Sequence, residues 1–305
     1  MKATFIDCPP FLHELYQGDL AAIVPDLAIN VGSPSPNQAI RLLEGSVFAL
    51  NDHTMMDRAL LEACPSLKCI VFLGTGAASF IDLAAAERLG IRVRTYGGYG
   101  DQSVAEHALA LMFAAGRGIA RMDREIRAGR FEPVNGIEFA GKRLGVVGTG
   151  GIGKAMVRLG AGIGMRVLAW NRSGVPHDLP AQAIELDDLL ARSDVISLHL
   201  SLNEGTRGLI DRRRLGLLKP GAILINTARG AIVDERALVE ALQQGRIAHA
   251  GLDVFTTEPL PPDHPLAGLP NVTLTAHAAF ATREASERLL RTALDILAEE
   301  RRATG

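Results

Sequence analysis

The stretch Leu144-Gly145-Val146-Val147-Gly148-Thr149-Gly150-Gly151-Ile152-Gly153 is the most informative in the chain. A short apolar strand runs into glycines at the G-x-G-x-x-G spacing, and a helical pattern follows. Each glycine has its own task in such a turn. Gly148 permits the sharp exit from the strand, Gly150 lets the main chain approach a pyrophosphate, and Gly153 lets the helix lie close on the strand. The helix start adds free N–H groups and the positive end of its dipole. Many glycine-rich turns share the bare spacing. The strand before it, the helix after it and a further strand at 165–170 make it a dinucleotide signature.

The end of that further strand selects the cofactor. An NAD site normally carries Asp or Glu about 20 residues beyond the glycine turn, to hold the ribose 2′-OH. This chain has Trp170-Asn171-Arg172-Ser173 there, with no carboxylate and one cation. The Arg172 guanidinium suits a 2′-phosphate, and Asn171 and Ser173 can add hydrogen bonds. The expectation is NADP(H) in preference to NAD(H), with NAD(H) still possible; the bland alternative is a solvated loop arginine.

Outward from the turn, apolar runs of strand length alternate with helical segments. That alternation argues for an α/β fold with parallel sheets covered by helices on both faces. Ahead of the turn, strands are predicted at 2–7, 47–50, 68–73 and 91–95, with helices at 56–63 and 82–89. Ser103 and Glu106 form a capping box that marks the start of a helix over 104–115. His107 on that helix reads as a packed, satisfied histidine. After the turn, strands are predicted at 165–170, 194–199, 222–226, 248–253 and 272–275, separated by helices at 186–191, 212–218 and 234–243. One amphipathic helix, 282–300, closes the chain. The four prolines in 258–265 predict a stiff, extended loop. The reading is thus two doubly wound, Rossmann-like domains with an active-site cleft between them.

Bulk properties narrow the classes. A chain of 305 residues suggests about two domains, and 48% hydrophobic with 22% charged residues suits sizeable cores. Net charge is −2 and no basic cluster has the size of a nucleic-acid footprint, so no nucleic-acid partner is expected. Glu299-Glu300-Arg301-Arg302 reads as a solvated helix end. Cys8, Cys64 and Cys69 are odd in number and match no C-x-x-C pair. A reducing compartment, no structural disulfide and no metal site follow, and Cys69, in an apolar strand-like run, is expected as a buried thiol. The first residues lack the apolar core of a signal peptide, and no run is long enough to span a membrane. A cytoplasmic protein is the expectation.

Three strand ends carry groups for chemistry. Asn226-Thr227-Ala228-Arg229-Gly230 would project a guanidinium at the carboxyl edge of the sheet, where it suits a carboxylate. Asp253-Val254-Phe255-Thr256-Thr257-Glu258-Pro259 and Leu274-Thr275-Ala276-His277 offer an acid/base pair. Glu258 would favour the imidazolium of His277 and orient its ring. Each residue also has a bland reading as a surface ion-pair member, a loop charge or a strand-end histidine, and spacing alone leaves the two readings even.

Taken in order, these motifs resemble the NAD(P)-dependent D-isomer-specific 2-hydroxyacid dehydrogenases. The likeness adds Gly74-Thr75-Gly76 with Ile81-Asp82-Leu83, Val104-Ala105-Glu106-His107-Ala108-Leu109, Leu198-His199-Leu200, Thr206-Arg207-Gly208-Leu209-Ile210 and Gly251-Leu252-Asp253-Val254-Phe255. The resemblance implies hydride exchange between a nicotinamide and a small 2-oxo or D-2-hydroxy acid, of the glyoxylate/hydroxypyruvate type. It implies that Arg229 holds the carboxylate, His277 is the proton donor, Glu258 pairs with it, and Gly74, Thr75 and Gly76 take the substrate carboxylate. The cofactor would lie against Gly148, Gly150, Gly151, Ile152, Gly153, Asn171, Arg172, Ser173, His199, Thr227, Ala228 and Asp253. It also implies a homodimer and a discontinuous substrate domain, 1–98 with 282–305, around a Rossmann domain at 99–281, with hinges near 97–100 and 279–282. Ala276, Phe280, Ser201 and the long 76–81 loop depart from the family's common pattern and leave the substrate open. A dinucleotide-sensing, corepressor-like binding protein is the alternative function.

Overall fold

The computed structural model describes residues 1–304. In chain order the elements are β1 (Ala3–Cys8), α1 (Pro10–Leu15), α2 (Gly18–Ile23), β2 (Ala28–Val31), α3 (Pro36–Leu43), β3 (Phe48–Asn51), α4 (Arg58–Glu62), β4 (Cys69–Phe72), α5 (Leu83–Arg88), β5 (Arg92–Arg94), α6 (Asp101–Arg117) and α7 (Ile119–Arg127). There follow β6 (Arg143–Val147), α8 (Gly151–Gly162), β7 (Arg166–Trp170), β8 (Gln182–Ala183), α9 (Leu186–Arg192), β9 (Val195–Leu198), α10 (Arg212–Leu215), β10 (Ala222–Asn226), α11 (Glu235–Gln243), β11 (Ile247–Leu252), α12 (Pro265–Gly268), β12 (Val272–Leu274) and α13 (Arg283–Thr304). The chain divides into two compact units: Met1–Gly100 with the segment from Thr282 onward, and Asp101–Ala281.

The first unit is a parallel sheet of order β2-β1-β3-β4-β5. Strands β1, β3 and β4 are buried along their whole length, as strands covered on both faces must be. One face packs through Phe5, Leu50 and Val71 against Leu289, Leu290, Leu294 and Leu297 of α13. The other packs Ile6, Ala49 and Ile70 against Leu43, Leu60, Leu61 and Ala86. Asp57 and Asp82 cap α4 and α5 by accepting from the amides of Leu60 and Ala85, each at 2.9 Å.

The second unit is a parallel sheet of order β12-β11-β10-β9-β6-β7-β8. The order reverses between β6 and β9, so the carboxyl ends of those two strands form the crevice where open parallel sheets receive ligands. Leu189, Leu190, Leu224 and Leu238 fill one face of this sheet, and Met112, Met156, Val157 and Ile225 fill the other.

Four expectations need correction. The helix read as starting after Ser103 begins at Asp101, which puts an acidic group in the first turn; Ser103 is a buried interior position, not a cap. The capping box is instead Ser35 with Gln38 at the start of α3, where the Ser35 amide donates to Gln38 Oε1 at 2.9 Å. The 258–265 loop is bent rather than extended, with bends at 256–259, a turn at 262–263 and a cis Glu258–Pro259 bond. The closing helix runs on to Thr304, and of its charged end Glu299 and Arg302 are exposed as expected, whereas Glu300 and Arg301 are drawn into ion pairs. Glu300 is buried and pairs with Arg92 (2.5 Å) and Arg94 of β5, while both Nη atoms of Arg301 hold Asp26 at 2.6 and 2.7 Å.

Candidate active site

The glycine turn is built as its sequence demands. Gly148 has φ +97°, and a Cβ there would lie 2.3 Å from the His199 carbonyl oxygen. A Cβ on Gly153 would lie 1.9 Å from the Gly148 oxygen, whereas Gly150 faces open space. The first amides of α8 have no acceptor within the helix and stand ready for an anion. Gly151 is required by a neighbour the sequence did not reveal. The Asp101 carboxylate lies against it, so close that a Cβ would sit 1.6 Å from Oδ2, and burial pushes that carboxyl above its ordinary pKa.

Along the carboxyl edge the predicted residues stand in strand order. His277 follows β12, Asp253 β11, Arg229 β10, His199 β9, the glycine turn β6, and Asn171-Arg172-Ser173 β7. At about 4.8 Å per strand, β12 and β7 lie about 24 Å apart. The edge therefore suits an elongated ligand. Three buried polar atoms there have no partner among the described residues: Thr149 Oγ1, His199 Nδ1 and Thr227 Oγ1. Burial pushes His199 down to about 4, so its ring is neutral, with Nε2 paired to Ser197 Oγ at 2.8 Å. Orphaned donors and acceptors beside a glycine turn fit a dinucleotide, whose phosphates and amide would satisfy them.

Asn171 braces the β7 end. It accepts from the Thr149 amide at 3.3 Å and donates to Ser173 Oγ at 2.8 Å and to the Gly174 oxygen at 3.1 Å. Arg172 is exposed and has no hydrogen bond or ion pair with any described residue. Arg229 is likewise exposed. Its Nη1 donates to the Ala228 oxygen at 2.6 Å, and no carboxylate among the described residues neutralises it. Asn226 holds this turn by accepting from the Ala228 amide and donating to the Arg229 oxygen, each at 3.0 Å.

The acid/base pair forms. His277 Nδ1 lies 2.7 Å from Glu258 Oε2, and its Nε2 has no partner among the described residues. Glu258 Oε1 accepts from the Phe255 amide at 2.9 Å. Gly230 makes this possible: a Cβ there would meet the Phe255 carbonyl carbon at 2.0 Å, so only glycine lets the Glu258 loop cross beside Arg229.

His277 has φ +50°, the left-handed region that is costly for a residue with a Cβ. Asp253 holds it there. Its backbone oxygen accepts from the His277 amide at 2.9 Å. Its buried carboxylate accepts from the Ala278 and Ala279 amides at 2.9 and 3.0 Å and from Thr275 Oγ1 at 2.6 Å. His107 Nε2 lies 3.0 Å from Thr275 Oγ1 and 3.5 Å from the same carboxylate. Burial alone would raise the Asp253 carboxyl; the hydrogen bonds from His107, Thr275 and the two amides outweigh it and hold it at about 2. His107 is thus satisfied, as expected, but by partners that tie it to the site. Glu235 also escaped the sequence reading. It accepts from the Thr256 amide at 3.1 Å and pairs with His264 at 3.3 Å, bracing the loop that carries Glu258.

In the first unit, the amides of Gly74, Thr75 and Gly76 donate to no acceptor among the described residues. Three successive amides are thus left as available donors.

Comparison with known proteins identifies the family. A glyoxylate reductase of Aeropyrum pernix is 42% identical over 246 residues, covering 77% of this chain and 73% of the relative. A hydroxypyruvate reductase of Thermotoga maritima is 38% identical over 251 residues, covering 81% of each. The solved structure of an acyclic imino acid reductase (Bsp5) in complex with NADPH and D-Arg superposes with a TM-score of 0.86 at 31% identity, covering 100% of this chain and 98% of that one. The family model for the D-isomer specific 2-hydroxyacid dehydrogenase, NAD binding domain, matches residues 109–279. A nicotinamide-binding crevice with an imidazole–carboxylate pair on the same sheet edge, found in a chain this similar, makes the protein an oxidoreductase that belongs to the D-isomer specific 2-hydroxyacid dehydrogenase family.

Proposed function

We propose that the protein reduces a small 2-oxo acid of the glyoxylate or hydroxypyruvate class to the D-2-hydroxy acid, with NADPH as the preferred reductant. The observation that carries this is the His277–Glu258 pair at 2.7 Å, with Nε2 free, two strands from an unneutralised Arg229. The relatives named glyoxylate reductase and hydroxypyruvate reductase support the substrate class. No observation favours the dinucleotide-sensing alternative.

In this reading the second unit binds the dinucleotide and the first binds substrate. The nicotinamide, when bound, supplies hydride to C2. Arg229 grips the substrate carboxylate with its planar fork and polarises the neighbouring carbonyl. His277 Nε2 gives its proton to the carbonyl oxygen and takes it back in the reverse direction. Glu258 keeps the Nδ1 proton engaged, so the ring cannot turn and Nε2 is the atom that exchanges. The free amides of Gly74, Thr75 and Gly76 are a second carboxylate-binding element. Arg172, with Ser173, receives the 2′-phosphate. Helix α7 has no buried residue and Phe131 beyond it is 90% exposed, which supports a homodimer closing over this apolar face. Three buried free cysteines support a cytoplasmic location, and no described helix is long and apolar enough to cross a membrane.

The test is NADPH oxidation followed with a panel of 2-oxo acids. Glyoxylate or hydroxypyruvate should turn over, and His277→Ala should lower kcat by about 10² to 10⁴ with NADPH affinity unchanged. Full activity in that variant removes His277 as the acid. A folded wild-type chain that turns over no 2-oxo acid ends the reading.

A further inference from the structure

We propose that the first unit carries a second, hydrolytic site, in which Ser33, His53 and Asp52 form a nucleophile–base–carboxylate relay for short esters whose acyl part bears a carboxylate. The topology marks the place. The order β2-β1-β3-β4-β5 reverses between β1 and β3, and crevices outside the carboxyl ends of such strands receive ligands. Asp7 sits near the end of β1, Ser33 after β2, and Asp52 and His53 directly after β3.

The geometry is that of an activated serine. Ser33 Oγ lies 2.6 Å from His53 Nε2, and His53 Nδ1 lies 2.9 Å from Asp52 Oδ2. With its Nδ1 proton donated to Asp52, the ring turns its Nε2 lone pair to the serine hydroxyl, which is the arrangement nucleophilic catalysis needs. Both loops are held independently. The buried Asp7 carboxylate accepts from the amides of Asp52, His53 and Thr54 at 2.9, 2.7 and 2.6 Å. Asn30 Nδ2 donates to the Ile6 and Gly32 oxygens at 2.9 and 3.0 Å, the Gly32 amide donates to the Cys8 oxygen at 2.9 Å, and Pro34 stiffens the chain just after Ser33. The backbones of the two loops that carry the relay are therefore fixed relative to one another through Asp7 and Asn30.

Ser33 opens on a hollow of about 400 Å³ lined also by Val31, Gln38, Arg41 and Leu42. Gln38 Oε1 is engaged by the Ser35 amide, which leaves its two N–H donors for an oxyanion. Arg41 donates only to the Asn37 oxygen, at 3.3 Å, and has no carboxylate partner among the described residues, so it fits an acyl carboxylate. Ser33 Oγ attacks the ester carbonyl carbon as its proton passes to His53 Nε2. The tetrahedral oxyanion collapses, the bond to the alcohol oxygen breaks, and that oxygen takes the proton. Water then adds to acyl-Ser33 by the same sequence, releasing the acid and restoring the hydroxyl.

The whole chain is tested with p-nitrophenyl acetate, p-nitrophenyl hydrogen succinate and diisopropyl fluorophosphate. The succinate half-ester is cleaved faster than the acetate, and Arg41→Ala removes that preference. Ser33→Ala lowers hydrolysis about 100-fold while keeping its NADPH-dependent turnover. Mass spectrometry finds the phosphoryl adduct on Ser33 of the wild-type chain and not in His53→Gln. A wild-type chain with no adduct at Ser33, or a Ser33→Ala chain hydrolysing at the wild-type rate, overturns the proposal, and neither result bears on reductase activity.

Discussion

Replacing Asp253 with Asn changes no volume, yet it should damage both stability and turnover. The carboxyl is held at about 2 against an ordinary 3.8, close to two pK units, or about 2.5 kcal/mol of preference for the charged form. The amide forfeits that preference. It also turns an NH2 toward a backbone N–H, the part-buried one of Ala278 or the buried one of Ala279, and an unsatisfied donor costs about 1–3 kcal/mol more. A loss of about 4 kcal/mol lowers the melting midpoint of the second unit by about 10 °C. Because the folded pKa is depressed, this stabilisation is complete above the ordinary carboxylate range and is lost as pH falls toward 2. Urea midpoints of wild type and Asp253→Asn should therefore differ most near neutrality and converge in acid. The same change frees the segment that fixes His277 at φ +50°, and a misplacement of about 1 Å costs about 100-fold in kcat. A variant with unchanged kcat, or a stability gap that is the same from pH 3 to 7, would refute the view that Asp253 positions the acid.

Three further expectations are measurable. Arg172→Ala should raise the KM for NADPH about 10- to 100-fold, the worth of a charge-assisted phosphate contact, and leave NADH unaffected; equal effects on both cofactors contradict the 2′-phosphate assignment. His199 and His249 are both pushed down to about 4 by burial, with Arg124 adding to the effect on His249, so stability present above the ordinary histidine range should drain away as pH falls from about 6.5 to 4. Urea midpoints that are flat over that window would show the rings are not buried neutral. Phe131→Glu should shift sedimentation from dimer to monomer without loss of secondary structure; an unchanged sedimentation coefficient removes α7 and its neighbourhood as the interface.

What the sequence disclosed is local. The glycine turn, the Asn226–Arg229 turn and the buried strands are each written within a few residues, because tight turns and doubly covered strands constrain composition directly. Strand β2 is an edge strand of only four residues with none fully buried, too short for Ala28, Ile29 and Val31 to set up a period that marks a strand. Ser103 with Glu106 has the capping-box pattern yet lies inside α6, because the same spacing inside a helix looks no different from one at its start. The burial of Glu300 leaves no mark in the tail because its partners, Arg92 and Arg94, lie some 200 residues earlier. The His107–Thr275–Asp253 and Ser33–His53 contacts were invisible for the same reason: a hydrogen bond between distant segments leaves no periodicity. The Ser35-Pro36-Asn37-Gln38 box, by contrast, is written within four adjacent residues.

The arrangement of α13 sets an order of events at birth. Leu289, Leu290, Ala293, Leu294 and Leu297 complete a core whose sheet is encoded near the start. While the ribosome is still translating, the strands from β1 to β5 must wait with one oily side bare, as the whole Asp101–Ala281 segment emerges and can settle on its own. The nascent amino-terminal portion is therefore the part of this protein most exposed to aggregation and most in need of a chaperone, and a message truncated just ahead of residue 282 would leave it permanently open.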